Sequence, residues 1–431
     1  MSGSNPLKSY SLAVGQSDIP STWMPDSRPR LANVASRRIV SIASQSGTVN
    51  AGQPILVALP YGMGAGFLCS GSAYVKFTVT VTQAVAVSWA FKQSGSASSI
   101  FQRVSAILSG QQAEVVHNYG ALYNSLLLHA TNGEYLNNDA GVHDSLTQAP
   151  LTDSSITVCV PVGLGCLNAK QHLPLFLLNG AQFQFDLNAI AQAITNITAG
   201  GANPPSNYAV SNFSLVFEQL VCEPQYEQSV KAMLAQGRIY QMPIDTWYNT
   251  RVANATSITQ NIGLNSSSVR CILWGAQTLQ GLPLAGHLNS NAQSSCYVYA
   301  DGQLISNSNL DTTASASESF VEKDRCLNLM FDTSRTSSAP TAATAAQAVA
   351  NDLLLTRITR ANYLATAFLG GLSLQRESMD SQAFSFVGTP VSQLVFQWQG
   401  PGGATTGEMF IFVALQQVLT IDAVGSCNLI R

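Results

Sequence analysis

The chain has 431 residues, of which 46% are apolar and only 10% charged, with a formal net charge of −3. Soluble chains average about 25% charged residues, so a lone copy would expose a weakly charged, association-prone surface. The charge balance does not point to bulk binding to nucleic acid, the apolar content argues against a disordered chain, and no run reaches the roughly 18 apolar residues of a membrane span.

The first 45 residues differ from the rest. Lys8, Arg28, Arg30, Arg37 and Arg38 are opposed only by Asp18 and Asp26, and Pro6, Pro20, Pro25 and Pro29 interrupt regular structure. This composition predicts an extended basic arm over 1–45, with a solvated tail as the alternative. "MSGSNPLKSYSLAVG" lacks the apolar core of a signal peptide.

Strand signals follow, punctuated by Gly, Ser, Asn and Pro as in sandwiches and barrels. "QPILVALP" (53–60) is a short apolar run. "SAYVKFTVTVTQ" (72–83) alternates, with Val75, Phe77, Val79 and Val81 on one face and Tyr74, Lys76, Thr78 and Thr80 on the other. "VAVSWAF" (85–91) and "IFQRVSAIL" (100–108) are further strands, the latter ending at a turn on Ser109-Gly110. In "AEVVHNYGALYNSLLLHA" (113–130) the apolar residues Val115, Val116, Tyr119, Leu122, Tyr123, Leu126 and Leu127 recur at helical spacing, so an imperfect helix is expected.

Two apolar runs flank Asn179-Gly180. Leu173–Leu178 is oily throughout and reads as a strand buried on both faces. The next run alternates, with Phe183, Phe185 and Leu187 opposite Gln182, Gln184 and Asp186. A Gly/Pro loop (198–207) and the strand "FSLVFEQLVC" (213–222) close the first half. The last forty residues repeat that order: "SQLVFQWQ" (392–399), "GPGGATTG" (400–407) and "EMFIFVALQQVLTI" (408–421). Between the halves, Tyr226, Val230, Met233 and Leu234 mark a helix, with Gly237 where a C-cap glycine belongs. Asp301-Gly302 between β-rich runs is a hairpin signal. The expected organisation is an arm over 1–45, a first β-sandwich over 46–222, a linker helix over 223–245 and a second sandwich over 246–431. An Ala/Thr/Ser-rich insertion near 333–352 is read as an exposed loop.

Chemistry is sparse. The sequence holds no GxSxG elbow, phosphate loop or HExxH pair. "GMGAG" (62–66) lacks the spacing of a dinucleotide fingerprint and reads as a turn. His117, His129, His143, His172 and His287 show no metal-ligand spacing on one element. "NNDAGVHD" (137–144) is a polar loop whose Asn138, Asp139 and Asp144 do not match a calcium loop. The eight cysteines form no CxxC pair and mostly sit in apolar runs, as small buried hydrophobes of a reducing compartment do. Trp89, Trp274 and Trp398 lie within strands. No catalytic residue, metal site or cofactor is expected.

The succession "FQRVSAILSGQQAEVVHNYGALYNSLL", "LPLFLLNGAQFQFDL", linker helix and second sandwich resembles the double jelly-roll major capsid proteins of the adenovirus, tectivirus and polinton-like lineage of icosahedral viruses. Ser109-Gly110, Glu114 and Asn118-Tyr119 match that family's small-residue turn, acidic residue and Asn-Tyr pair. Leu173-Pro174-Leu175 matches its "LPL" stretch, and "VYADGQLI" and "LGGLSLQR" in the second half have its flavour. The resemblance implies an all-β chain of two consecutive eight-stranded jelly rolls. It further implies pseudo-hexagonal homotrimers that tile a virion shell and bind minor capsid, penton or cement proteins. The arm, through Arg28, Arg30, Arg37 and Arg38, would touch an internal membrane or the genome without sequence-specific nucleic-acid binding. The alternative is a secreted or surface carbohydrate-binding or adhesin β-sandwich protein.

Overall fold

The computed structural model describes residues 34–82, 89–91, 97–130, 154–196, 206–253, 255–277, 295–305, 322–323, 325–326, 369–375, 388–399 and 408–430. In the first half the strands are β1 (Val34–Ala43), β2 (Thr48–Asn50), β3 (Pro54–Ala58), β4 (Phe67–Leu68), β5 (Tyr74–Thr82), β6 (Trp89–Phe91), β7 (Phe101–Leu108) and β8 (Gln111–His117). They continue with β9 (Ser155–Pro161), β10 (Leu173–Pro174), β11 (Ala181–Leu187), β12 (Ile194–Asn196) and β13 (Asn207–Cys222). Helices α1 (Tyr119–Ala130), α2 (Gly165–Asn168), α3 (Ile190–Ala193) and α4 (Pro224–Ala235) interrupt or follow them. The second half is β14 (Tyr240–Ala253), β15 (Ser257–Gln277), β16 (Ser295–Ala300), β17 (Gln303–Leu304), β18 (Gly370–Ser373), β19 (Thr389–Gln399), β20 (Glu408–Ile421) and β21 (Cys427–Ile430).

The first half is a sandwich of two antiparallel sheets. One runs β10-β4-β13-β5-β9, with β1 and β2 also on β13; the other runs β3-β11-β7-β8. Alternation decides which side chains enter the core. Val75, Phe77, Val79 and Val81 are buried while Tyr74, Lys76 and Thr80 are exposed. On β11, Phe183, Phe185 and Leu187 are buried, and Gln182, Gln184 and Asp186 point the other way. Phe213 joins the layers, with ring centroids 5.6 Å from Phe77 and 5.1 Å from Phe185. Such aromatic pairs add to plain area burial.

The second half is an eight-stranded network, β14-β20-β15-β19-β16-β17 with β18 on β15 and β21 on β20. Its pivot is the 21-residue β15. The early part of that strand pairs with β19 and the later part with β20, with register shifts around Ser266 between them. A strand that bulges twice can leave one layer and join the other. Ile262, Ile272, Trp274, Phe396, Trp398, Ile411 and Val413 fill the space enclosed.

Several expectations need correction. Residues 113–117 are not helical: β8 runs through His117 and pairs with β7 around Ser109 (φ 51°) and Gly110 (φ 77°), a two-residue hairpin turn. The helix begins only at Tyr119, so His117 ends a strand. The run at 173–178 is not one long strand either. Leu173–Pro174 is a two-residue strand and Leu175–Leu177 a 3-10 turn, all buried. It is β20 that is buried on both faces, from Met409 to Leu415. The end of the expected arm is also ordered: residues 34–43 form β1, antiparallel to β13. Arg28, Arg30, the 333–352 insertion, the "NNDAGVHD" loop, His143 and His287 lie outside the described residues. The hairpin at Asp301 (φ 48°) and Gly302 (φ 82°) is present, and α4 lies where the linker helix was expected, with Gly237 at φ 88° just beyond it.

Candidate functional site

The feature with the most to explain is the seam between the halves. Along β20 the side chains alternate, and every residue from Met409 to Leu415 is buried. Met409, Ile411, Val413 and Leu415 enter the second-half core. Phe410, Phe412 and Ala414 enter the core that holds Phe77, Phe101 and Phe183 of the first half. On β15, Ile272 and Trp274 face one way and Cys271 and Leu273 the other. From β14, Met242, Ile244 and Trp247 also enter the first-half core. A sheet greasy on both faces must be covered on both, and here each face belongs to a different half.

Polar contacts fix the register of this apolar seam. Glu114, on β8, is 2% exposed. Its Oε1 accepts the Gly165 N–H at 2.7 Å and its Oε2 the Cys166 N–H at 2.9 Å. Gly165 in turn lies against β14: a Cβ there would sit 2.0 Å from the Asp245 carbonyl oxygen. Only glycine allows that approach. The Asp245 carboxylate pairs with Arg270 of β15, whose side chain is 1% exposed. Beside this path, Asn118 Nδ2 donates to Asn249 Oδ1 at 3.1 Å, and Asn249 Nδ2 donates to the His117 carbonyl. Tyr119 Oη accepts the Gly163 N–H at 2.7 Å. At the other end of the seam, Asn179 Nδ2 donates to the Val424 carbonyl. Burial pushes the Glu114 carboxyl up to about 7, against the opposite pull of its two amide hydrogen bonds.

Thus Glu114, Asn118 and Tyr119, singled out in the sequence, come together at the seam, while Ser109-Gly110 makes the hairpin that carries Glu114 there. A second polar lock was missed. Glu227 of α4 is fully buried, and its carboxylate accepts the Gly64 N–H at 2.7 Å and the Gly66 N–H at 3.2 Å. The "GMGAG" turn therefore wraps a carboxylate from the chain itself, as successive backbone amides wrap anions elsewhere. The available signal was an acidic residue in the first turn of an otherwise amphipathic helix, which does not say what it will meet.

The arm arginines divide. Arg37 Nε donates to Glu218 Oε2 at 3.0 Å and Arg38 Nε to Gln219 Oε1 at 2.9 Å, so both are engaged by β13. His172 Nδ1 accepts the Ser70 N–H at 3.0 Å, and burial lowers its pKa. Seven cysteines are buried and Cys159 is half-buried. Among the described residues, no group of three or more His, Cys, Asp or Glu side chains is placed to hold a metal ion, and no helix is long and apolar enough to cross a membrane.

No protein-family model and no curated protein matches the chain. Solved structures do. VP54 of PBCV-1, as fitted into a reconstruction of the virophage Sputnik, matches with a TM-score of 0.61 and 13% identity, over 91% of this chain and 96% of that one. A chain of the Sputnik virophage structure itself matches at 0.54 and 10% identity, over 96% and 92%. The Faustovirus major capsid protein matches at 0.53 and 6% identity, over 90% and 90%. The fold is the double jelly roll.

Proposed function

We propose that the chain is the major structural subunit of an icosahedral virus shell, acting by assembly and not by catalysis. The observation that carries this reading is the strand pair of β20 and the later part of β15, buried on both faces from Met409 to Leu415 and from Ser268 to Gly275. It joins the two sandwiches into one block, and the solved structures of this fold include a protein described as a major capsid protein and a chain of a virus capsid. A block of this kind with only 10% charged residues suits walls that neighbouring copies cover. Three copies, each contributing two rolls, give the pseudo-hexagonal outline that tiles a shell, and minor capsid, penton or cement proteins fill its vertices and joints. The basic arm reaches an internal membrane, the genome or an adjacent capsomer through Arg28 and Arg30, since Arg37 and Arg38 are held by β13.

The test is the native mass of the purified protein with negative-stain images of the same sample. Trimers of the 45.7 kDa chain with hexagonal outlines are expected; a stable solitary chain at micromolar concentration overturns the reading. Deleting residues 1–33, which spares β1, is expected to leave trimers intact and to impair shell closure.

A further inference from the structure

Two thiols meet on the seam face of the second-half sheet. Cys271 of β15 and Cys326 are 1% and 0% exposed and belong to the same core. Strand β18 brings them together. It pairs with β15 so that Cys271 lies opposite Ser373 and Leu273 opposite Gly371. In an antiparallel pair, residues two apart share a face, so Cys271, Leu273, Gly371 and Ser373 all look toward the first half. The segment carrying Lys323 and Cys326 rests on that face at Gly371. A Cβ there would be 3.0 Å from the Lys323 Cα and 3.2 Å from the Cys326 Sγ. Cys271 is the diagonal neighbour of Gly371 across the ladder, within reach of a side chain lying over it. Burial, and after it the neighbouring Cys271 side chain, raises the pKa of the Cys326 thiol.

We propose that Cys271 and Cys326 are a latent disulfide site, open while the protein is in a reducing compartment and closed by a small-molecule disulfide afterwards. One thiol, as thiolate, attacks a sulfur of the oxidant and expels half of it as a thiol. The second thiol then attacks the mixed disulfide on the protein sulfur and expels the other half. The protein gains one S–S bond and loses two thiol protons, which end on the two released thiols; two electrons pass to the oxidant. Burial holds the Cys326 thiol in its protonated form, so attack waits on local opening of the segment that carries it. Once closed, the bond ties that segment to β15 and so to the seam. The site stands on the thiol geometry alone and does not depend on the capsid reading.

The experiment treats the purified full-length protein with excess oxidised glutathione, in buffer and in sub-denaturing urea, followed by non-reducing digestion and mass spectrometry. Half-buried Cys159 serves as the internal control for reagent activity. The expected result is a peptide pair joined through Cys271 and Cys326, formed faster in urea, with a thermal midpoint that rises on oxidation and falls back with reductant. Cys326→Ser and, separately, Cys326→Ala abolish both the crosslink and the midpoint shift. If Cys271 and Cys326 stay as thiols, or join other cysteines in preference, when Cys159 is fully modified, the proposal is wrong. Mapping the wild-type protein decides this even if a variant fails to fold.

Discussion

The two cores of the molecule draw on the chain unequally. The core of the second half is local, with all its buried members between Ile258 and Leu415. The core of the first half runs from Val49 to Cys427 and takes Met242, Leu273, Phe412 and Leu419 from the other side. The first sandwich is therefore completed by its neighbour's sheet, whereas the second closes on itself. Deleting apolar atoms from β20 should reveal which half a residue serves, although adjacent positions sit on one strand. An arrangement in which neither half can turn against the other suits a building block better than a hinge.

The most damaging way to break the comparison is to place a charge in either core. Phe183→Asp and Phe396→Asp each bury an unpaired carboxylate at a position that is 0% exposed, a cost no marginally stable chain absorbs. Neither variant should be recovered as soluble, folded protein in size-exclusion chromatography. Next comes Phe412→Ala, a cavity at the seam worth about 3–5 kcal/mol. Because Phe412 belongs to the second half by sequence and to the first by packing, urea unfolding followed by hydrogen exchange should show protection lost in β13 as well as in β20. Unchanged β13 protection would remove Phe412 from the first-half core.

Glu114→Gln is a smaller change. The amide cannot accept from both Gly165 and Cys166, and an orphaned buried donor costs about 1–3 kcal/mol. The same variant isolates a pH effect. The folded carboxyl titrates at about 7 against an ordinary value of 4.5, so the folded chain holds this proton more tightly than the unfolded one. The stability so gained is complete below the ordinary value and is lost as the pH rises through about 7, on the order of 3 kcal/mol in all. His117 and His172 have lowered values and act with the opposite sign, their contribution being complete above the ordinary histidine value and lost as the pH falls below it through their lowered values. Comparing wild type with Glu114→Gln at pH 5 and pH 8 by urea midpoint cancels the histidines. The wild type should lose more stability than the variant over that interval. Least of all should come Arg37→Ala, because an exposed ion pair is screened by solvent; its midpoint should stay within error of the wild type.

Much of this architecture was legible because strand alternation sorts side chains by face. Val75, Phe77, Phe183 and Phe185 could be assigned inward from spacing alone, and α4 followed from its apolar stripe and Gly237. Alternation does not say what covers a face, so the strand at 408–421 was legible without its two sides being seen to serve different cores. The stretch 113–117 was misread because Val115, Val116 and Tyr119 satisfy a helical period while the hairpin at Ser109-Gly110 pulls the first two into β8. Leu173–Leu178 was misread for the complementary reason: burial on all sides does not require a strand when a 3-10 turn can be enclosed. Glu114 was noticed by resemblance, but its partners, two backbone amides 51 and 52 residues away, leave no trace in the sequence. Glu227 was missed for the same reason.

The central claim, that two sandwiches form one block through a common sheet, is most directly tested by hydrogen exchange of the intact protein across a urea series, peptide by peptide. Peptides from β13 in the first half, β20 at the seam and β19 in the second half should lose protection at one denaturant concentration. Loss of protection in β13 and β19 at clearly separate concentrations, with β20 following β19 alone, would contradict it.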